Sequence, residues 1–432
     1  MRSNQRRRFP GEGRLLTGMA VDAVGNGMYV PFTIVFFRHV TDLPLPVIGL
    51  VLTITGLAGM AALPVVGSLV DHYGARRVQL ALYLVRGLAF LAYPFSGSLA
   101  AFFLVSLVAA GATRGFPAAQ QARIGELVSG ADLERLNALG RSLVNGGLGA
   151  GSLLAALLVG YAGGTGYTVA ALVNAASFFV AGVLAWGVPE NGAPRAVPNK
   201  GGAPQIGYRA VLADRPVLGL SAANLLISHG YAALSVLLPV YLTEVLREPQ
   251  SLTGVAFAVN TVLCAGLGVP AGRLVARFGS RNRAAATGAG LFAVAFVADA
   301  ALGLAAPGSG LVTAGVLGAV VLATLGEVVH NPAASALVTA AAPPALRGRY
   351  MATYQLSWSL SAAIAPSLFT GLMALDGRLP WLVLAAAVAA GALLLLTLEK
   401  HLPEDAVRVQ PSGARGSADQ LRARGREKQA VH

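Results

Sequence analysis

Five polar or ionisable side chains lie inside long apolar stretches of this chain: Asp22, Asn26, Arg114, Glu327 and His330. Asp22 and Asn26 are four residues apart and Glu327 and His330 are three apart, so each pair shares one face of a helix. If these stretches cross a lipid bilayer, each ionisable group is costly to insert and indicates a function or a buried partner.

Reversible charge is the chemistry that these residues offer. We expect Asp22 and Arg114 to face a common cavity and to interact, and Glu327 to titrate from the opposite side of that cavity. The proton affinity of a carboxylate depends on its contact with water and on nearby positive charge, so a cavity that opens to alternate sides would change it. A static buried ion pair is the alternative for Asp22 and Arg114, and also for Glu327, for which the sequence offers no obvious basic partner. Hydrogen-bonded packing is the alternative for His330 and His229.

Further residues are candidates for the cavity wall, although each could equally face another helix. These are Tyr29, Asn145, Asn224, His229, Tyr354, Gln355 and Trp358. Arg86 is expected nearer the end of its helix, with its head group reaching toward the interface. Asp299 is expected to be solvated at the opposite end of its helix.

The composition places these residues in a membrane. Apolar residues make up 55% of the 432 and charged residues 12%, whereas about a quarter of a soluble domain is charged. Long apolar runs recur along the chain, and helices formed by such runs are long enough to cross a hydrocarbon core about 30 Å thick. We therefore predict an all-α membrane protein with twelve transmembrane helices, at 15–37, 47–70, 78–97, 100–122, 138–160, 167–187, 217–242, 252–275, 284–305, 311–338, 349–374 and 380–398.

Basic residues give the orientation. Of the 32 lysines and arginines, 27 fall on the side of the N-terminus and three on the other, which predicts cytoplasmic termini and a plasma (inner) membrane location. The segment from Pro403 to His432 is polar and is expected to be disordered. The predicted organisation is an N-terminal tail at 1–14, a helical bundle at 15–187, a linker at 188–210, a second bundle at 211–399 and a tail at 400–432.

Two loops of the chain repeat each other. Gly67 and Gly74 recur as Gly272 and Gly279 at an offset of 205 residues. In each copy the first glycine begins a Gly-x-Leu-Val block, and the second follows an aromatic residue and precedes basic residues. A matched block at the corresponding loop of each half indicates duplication.

The first copy, with Asp71 before Gly74 and the pair Arg76–Arg77 after it, resembles the cytoplasmic loop signature of the major facilitator superfamily. The resemblance covers about residues 12–400 and implies two pseudo-symmetric six-helix bundles around a cavity with alternating access. Ala276 replaces the acid in the second copy, so a gating ion pair is expected in the first half alone; a topology anchor is the alternative. The implied gating residues are Gly67, Asp71, Gly74, Arg76, Arg77, Gly272 and Gly279.

Gly147, Gly151 and Ser152 resemble the antiporter signature of the twelve-helix, proton-driven drug exporters, with serine in the place of its proline. Small residues at this spacing also serve plain helix packing. Export members of the family carry an intramembrane arginine, a position that Arg114 matches.

The resemblance implies a secondary active transporter that exports drugs or small hydrophobic metabolites in exchange for protons. A proton-coupled importer of a nutrient or organic solute is the alternative. The chain has three lysines and none follows glycine, so no phosphate-binding loop is present and the proton gradient is the expected energy source. We expect no enzyme activity, cofactor, metal or nucleic-acid partner, and a monomer in the lipid bilayer that binds a small-molecule substrate.

Overall fold

Helices make up nearly all of the regular structure. The structure, a computed structural model, describes residues 9–128, 131–189, 211, 213–305, 310–343 and 347–408. Its α-helices are α1 Glu12–Tyr29, α2 Thr33–Thr41, α3 Leu45–Met60, α4 Ala62–Tyr73, α5 Ala75–Ala92, α6 Leu99–Leu127, α7 Ala131–Ala162, α8 Gly164–Trp186, α9 Arg215–Ala232, α10 Leu238–Glu244, α11 Ser251–Arg277, α12 Arg281–Leu302, α13 Gly310–Ala341, α14 Arg347–Leu375, α15 Leu379–Leu398 and α16 Glu404–Val407.

Membrane-spanning length is reached by eleven helical segments of the described residues, from Glu12–Thr41 to Leu379–His401. The span predicted at 252–275 coincides with α11, in which the apolar part Ser251–Leu267 is shorter. The predicted class, an all-helical membrane protein, is confirmed, and the number twelve stays a prediction.

Two of these spans are interrupted at matching places. A 3₁₀ turn, Val30–Phe32, joins α1 to α2, and a π-helical segment, Ala233–Leu237, joins α9 to α10. Pro31 lies in the first interruption and Pro239 directly after the second, and proline removes a backbone donor from the helix ladder. Non-helical backbone at membrane depth is tolerated where it is buried in protein or lines a cavity.

Two hydrophobic clusters hold the helices together. One contains buried residues between positions 28 and 185 together with Val240, and the other contains residues between 220 and 407. Phe102 and Phe178 are fully buried in the first cluster, and Tyr241 and Trp381 in the second. The helices therefore form two sets along the chain, α1–α8 and α9–α16. Whether each set is a six-helix bundle stays a prediction.

The two sets touch at the end of the molecule that carries Pro44, which we call the Pro44 end. Helix α3 packs against α14, and α7 packs against α11. The backbone nitrogen of Ser367 donates a hydrogen bond to Thr53 Oγ1 at 3.1 Å. A side chain at Gly49 would collide with Thr370.

Two glycines without close neighbours lie toward the other end, which we call the Gly74 end. A Cβ atom on Gly67 of α4 or on Gly266 of α11 would meet no atom within 4 Å. The contact between α3 and α14 thus joins the two sets at the Pro44 end.

Each of the repeated loops contains a glycine with a positive φ angle. Gly74 and Gly279 have φ angles of 87° and 67°, a region that glycine occupies at little cost. Gly74 lies between α4 and α5, and Gly279 lies in the short connection 278–280 between α11 and α12. Ser280 Oγ accepts a hydrogen bond from the backbone nitrogen of Arg283 at 3.3 Å and so caps α12.

The end of the chain corrects one expectation. Residues Glu404–Val407, predicted to be disordered, form the short helix α16 against α13. Arg281 fixes it by donating to the backbone oxygens of Asp405 and Ala406 at 3.1 and 2.7 Å. The linker at 190–210 and the tail at 409–432 lie outside the described residues.

Candidate functional site

A buried ion pair lies inside the first set of helices. Arg86 Nη1 is 3.2 Å from Asp22 Oδ1, and the two side chains are 3% and 14% exposed. Asn26 Nδ2 donates to Asp22 Oδ1 at 3.1 Å, and Arg86 Nη2 donates to Asn26 Oδ1 at 3.3 Å. The shared face of Asp22 and Asn26 is confirmed. The predicted partner Arg114 is wrong, because Arg86 takes its place.

Aromatic rings complete the surroundings of Arg86. Its guanidinium carbon lies 4.6 Å from the ring centroid of Phe116 and 4.0 Å from that of Phe178. A delocalised cation binds well between aromatic faces, which offer negative charge without hydration. The expectation that Arg86 reaches the interface is therefore wrong.

Arg114 instead lines a cavity between the two sets of helices, which we call the basic cavity. Its volume is about 270 Å³, and Arg114 is the charged member among the described residues of its wall. No described residue lies within ion-pair distance of Arg114. Hydroxyl and apolar groups make up much of the remaining wall, among them Thr33, Thr55, Ser106, Thr113, Ser235, Phe90 and Tyr93.

Glu327 lines a second cavity of about 280 Å³, which we call the acidic cavity. Asn260 Nδ2 donates to Glu327 Oε2 at 3.1 Å and also lies 3.1 Å from Thr324 Oγ1. Within the described part of the chain, Glu327 has no basic partner. The wall is largely aromatic and aliphatic, and its rings belong to Tyr231, Phe257, Phe292, Phe296 and Trp381.

Asp299 of α12 lines the same cavity, nearer the Pro44 end. It is 4% exposed, and its Oδ1 is buried without a hydrogen-bond partner. Tyr241 donates its hydroxyl to the backbone oxygen of Asp299 at 2.8 Å and leaves the carboxyl free. The expectation of a solvated Asp299 is wrong. The sequence did contain a signal, because Phe292 and Phe296 lie seven and three residues before it on the same helical face.

The two cavities adjoin each other. Val30 and Ser235 belong to the walls of both. Val30 lies in the 3₁₀ turn that breaks the first span and Ser235 in the π-helical segment that breaks the seventh predicted span, and these two segments contact each other. A basic and an acidic compartment thus meet at the two interrupted helices.

Neither His330 nor His229 belongs to the wall of the basic or the acidic cavity. His330 is 1% exposed, and its Nδ1 is 2.9 Å from the backbone oxygen of Ala285, so it binds α13 to α12. His229 Nδ1 is 2.7 Å from the backbone oxygen of Leu225 on its own helix. Both contacts agree with the packing alternative.

The other residues that were predicted for the cavity wall lie in different places. Asn145 lines the acidic cavity, as expected. Tyr29 does not line either cavity; it is stacked on Tyr93, 5.5 Å between ring centroids, inside the first hydrophobic cluster. Gln355 is exposed, and Trp358 packs edge-on against Tyr231 at 4.8 Å.

Asn224 and Tyr354 lie deeper in the second set of helices, beside a small void of about 10 Å³ that His330 also lines. Asn224 Nδ2 donates to Ser357 Oγ at 2.6 Å. Asn224 thus joins α9 to α14, which agrees with the alternative that it faces another helix, and neither Asn224 nor Tyr354 lines the basic or the acidic cavity.

The small residues of α7 bring it close to α1. A Cβ on Gly147 would lie 2.5 Å from that of Ala23, and one on Gly151 would lie 2.8 Å from the backbone nitrogen of Met28. Ser152 is fully buried and donates to the backbone oxygens of Gly27 and Leu148 at 3.0 and 2.6 Å. The packing role of this segment is therefore directly visible.

The residues predicted to gate lie at the Gly74 end. Asp71 is exposed and makes no ion pair with another described residue, and Arg77 is also exposed. Arg76 donates to the backbone oxygen of Trp186 at 2.6 Å. The backbone nitrogen of Ala75, at the start of α5, donates to Glu126 Oε1 at 3.3 Å. Gly272 lies within α11.

The arrangement defines a class of protein: a polytopic helical membrane protein whose two sets of helices enclose polar cavities in an apolar surround. The family model of the major facilitator superfamily matches residues 15–298 and 251–426. The chain therefore belongs to the major facilitator superfamily and is a membrane transporter of that type. No curated protein sequence matches it.

Solved structures share the fold at low sequence identity. The nucleoside transporter NupG is 13% identical with a TM-score of 0.72, over 90% of this chain and 98% of that one. A bacterial homologue of the iron transporter ferroportin, in an inward-facing state, is 16% identical with a TM-score of 0.72, over 90% and 98%. An auto-inhibited peptide transporter of the POT family is 12% identical with a TM-score of 0.69, over 90% and 96%.

Proposed function

We propose that this protein is a proton-coupled secondary transporter that exports drugs or small hydrophobic metabolites by alternating access. The observation that carries the proposal is Glu327, a carboxyl group in a largely aromatic cavity with an amide donor and no basic partner among the described residues. An intramembrane carboxyl without a counter-ion is costly unless it binds protons or a cationic ligand. The aromatic wall suits an apolar substrate body.

Asp299 extends the proton pathway. It lies in the same cavity as Glu327 and closer to the Pro44 end. The cavity volume of about 280 Å³ exceeds the roughly 30 Å³ that one water molecule takes in the liquid, so a short chain of waters fits between the carboxyl groups. We infer that Asp299 passes protons between the Pro44 end and Glu327.

Asp22 has a different role in this proposal. Its charge is balanced by Arg86 and Asn26 within one set of helices, so no opening of the cavity is needed to satisfy it. Removal of one member of such a pair would leave an uncompensated buried charge, so Asp22 and Arg86 hold each other in the charged form. Asp22 is therefore assigned to the structure of the first set.

The contacts between the two sets of helices support alternating access. With the termini in the cytoplasm, as the basic residues predict, the Gly74 end faces the cytoplasm, and we infer that the cavities open to that side. Export then requires the α3–α14 and α7–α11 contacts to part, while Asp71 and Arg77 form new contacts at the Gly74 end. This is rocking of one set of helices on the other.

Import of a polar solute is the second candidate. Arg114 and the hydroxyl groups in the wall of the basic cavity favour it, since a sugar or organic acid is recognised by such donors. In this case substrate and proton would move in the same direction, and lipophilic compounds would move no protons.

The two candidates differ in substrate-induced proton movement. Purified protein in proteoliposomes, with a pH-sensitive dye trapped inside and an imposed proton gradient, would be given lipophilic cations, neutral drugs, sugars and organic acids in turn. Dissipation of the gradient by drugs supports export. Proton movement with sugars or organic acids alone would replace it with import.

A further inference from the structure

The basic and acidic cavities carry opposite charges that no described residue neutralises. We propose that together they form one binding site for an amphiphilic zwitterion, whose anionic group binds Arg114 and whose cationic amine binds Glu327. The inference rests on the proposed function, because it names the substrate class for the same transport cavity.

The charges of Arg114 and Glu327 differ from those of the buried ion pair in the first set of helices. Arg86 and Asp22 satisfy each other at 3.2 Å. Arg114 and Glu327 have no such partner among the described residues and lie in different cavities. Charged groups kept apart at bilayer depth are costly, and a ligand with the complementary charges would remove that cost.

The volumes of the two cavities indicate that a ligand occupies both. The cavities measure about 270 and 280 Å³, each slightly below the range of roughly 300–1,000 Å³ typical of small-molecule sites. Joined across Val30 and Ser235, they reach that range. These two residues lie on the interrupted segments, so a small backbone change there is enough to merge the compartments. A drug-sized ligand therefore needs both cavities.

The side-chain chemistry of the two cavities matches the two ends of a zwitterion. An arginine binds a carboxylate through two parallel hydrogen bonds, and hydroxyl groups around Arg114 can donate to the same anion. A protonated amine forms a charge-assisted hydrogen bond with a carboxylate such as Glu327, and Tyr231 and Phe292 supply aromatic faces for it. The apolar body of the ligand lies between them, along the aliphatic and aromatic walls.

A purely conformational role of the two charges must be distinguished from substrate binding. Arg114 and Glu327 could attract each other in the opposite conformation and serve the conformational change alone. In that case, removing either charge would alter the binding of every ligand by the same factor, since the ligand would meet a changed mixture of conformations.

The experiment uses the purified full-length protein and four related probes: ciprofloxacin, which is zwitterionic at neutral pH, its methyl ester, its N-acetyl derivative and the doubly blocked compound. Equilibrium binding is measured for the wild type, Arg114→Gln and Glu327→Gln. The controls are Arg141→Gln and Asp376→Asn, which remove exposed charges outside both cavities.

We expect the wild type to bind the zwitterion at least tenfold more tightly than either singly blocked probe. Arg114→Gln should weaken the zwitterion and the N-acetyl anion and leave the ester unchanged. Glu327→Gln should weaken the zwitterion and the ester and leave the anion unchanged. Both controls should bind like the wild type.

Equal weakening of all four probes by each variant, no effect of either variant, or no binding of any probe would overturn the zwitterion site. The proposed function is judged separately, by proton movement in proteoliposomes. If the ester or the doubly blocked compound moves protons while the zwitterion has no advantage in binding, proton-coupled export stands and the zwitterion site falls.

Discussion

Arg86 and Asp22 form an ion pair across α5 and α1, with the guanidinium held between the rings of Phe116 and Phe178. Asn26 hydrogen-bonds to both members. Asp22, which the sequence suggested as a cavity residue, is thus paired inside the first set of helices, whereas Arg114 and Glu327 line the two cavities.

Breaking this pair should destabilise the protein more than removing both members. Loss of one partner leaves an uncompensated buried charge, which costs about 3–5 kcal/mol, whereas apolar replacement of both is often nearly neutral. We expect Arg86→Met and Asp22→Leu to lower the thermal unfolding temperature in detergent, and the double variant to recover most of the loss. Single variants that unfold like the wild type would contradict the structural role of the pair.

Adjacent glycines of α7 offer a matched test of the close packing against α1. A Cβ on Gly147 would crowd Ala23, while one on Gly146 would meet no atom within 4 Å. Overpacking costs about 1–3 kcal/mol or more where backbone is in the way. We expect Gly147→Ala to reduce the yield of monodisperse protein in size-exclusion chromatography and Gly146→Ala to leave it unchanged. Equal yields would show that α1 and α7 are further apart.

The contact of α3 with α14 at the Pro44 end is tested by a reversible cross-link. Thr53 and Ser367 are joined by a 3.1 Å hydrogen bond across α3 and α14. In a Cys264→Ala background, we expect Thr53→Cys with Ser367→Cys to cross-link on oxidation, to lose transport and to regain it on reduction. Each single cysteine variant is the control. Transport that continues in the cross-linked protein would rule out separation of these helices as a step of the cycle.

Asp299 should be needed for proton supply and not for substrate binding. Asp299→Asn keeps the size of the side chain and the hydrogen bond that Tyr241 donates to the backbone oxygen. We expect proton-driven transport to fall at least tenfold, while exchange of substrate for substrate continues and Asp299→Glu retains part of the activity.

Asp376→Asn removes an exposed carboxyl at the same end of the molecule and serves as the control. Among the described residues, the Asp376–Arg378 ion pair lies near Asp299, because the Arg378 side chain lies beside Gly303 at the end of α12. Tyr241 is the titratable neighbour of Asp299. Undiminished proton-driven transport in Asp299→Asn would remove this residue from the pathway.

The helices were predictable because apolar runs and basic loops follow directly from the cost of placing polar groups in lipid. The importance of the repeated glycines was also predictable, since Gly74 and Gly279 both have a positive φ angle, which other residues rarely adopt. Spacing along one helix placed Asp22 beside Asn26, because residues four apart share a face in any α-helix.

Partners on different helices were not predictable. Whether Asp22 meets Arg86 or Arg114 depends on how α1 is rotated and which neighbour it packs against, and the glycines of α7 set that rotation only through three-dimensional contact. Asp299 was misplaced for a related reason. Closeness to a helix end suggested exposure, but the contacts of α12 with α13 and α15 bury it.

The central claim is that Glu327 carries the proton exchanged for substrate. It is tested most directly by counting protons moved per substrate in proteoliposomes for the wild type, Glu327→Gln and Glu327→Asp. We expect Glu327→Gln to move no protons yet still exchange substrate for substrate, and Glu327→Asp to retain coupling at a lower rate. A Glu327→Gln variant that moves as many protons per substrate as the wild type would contradict the account.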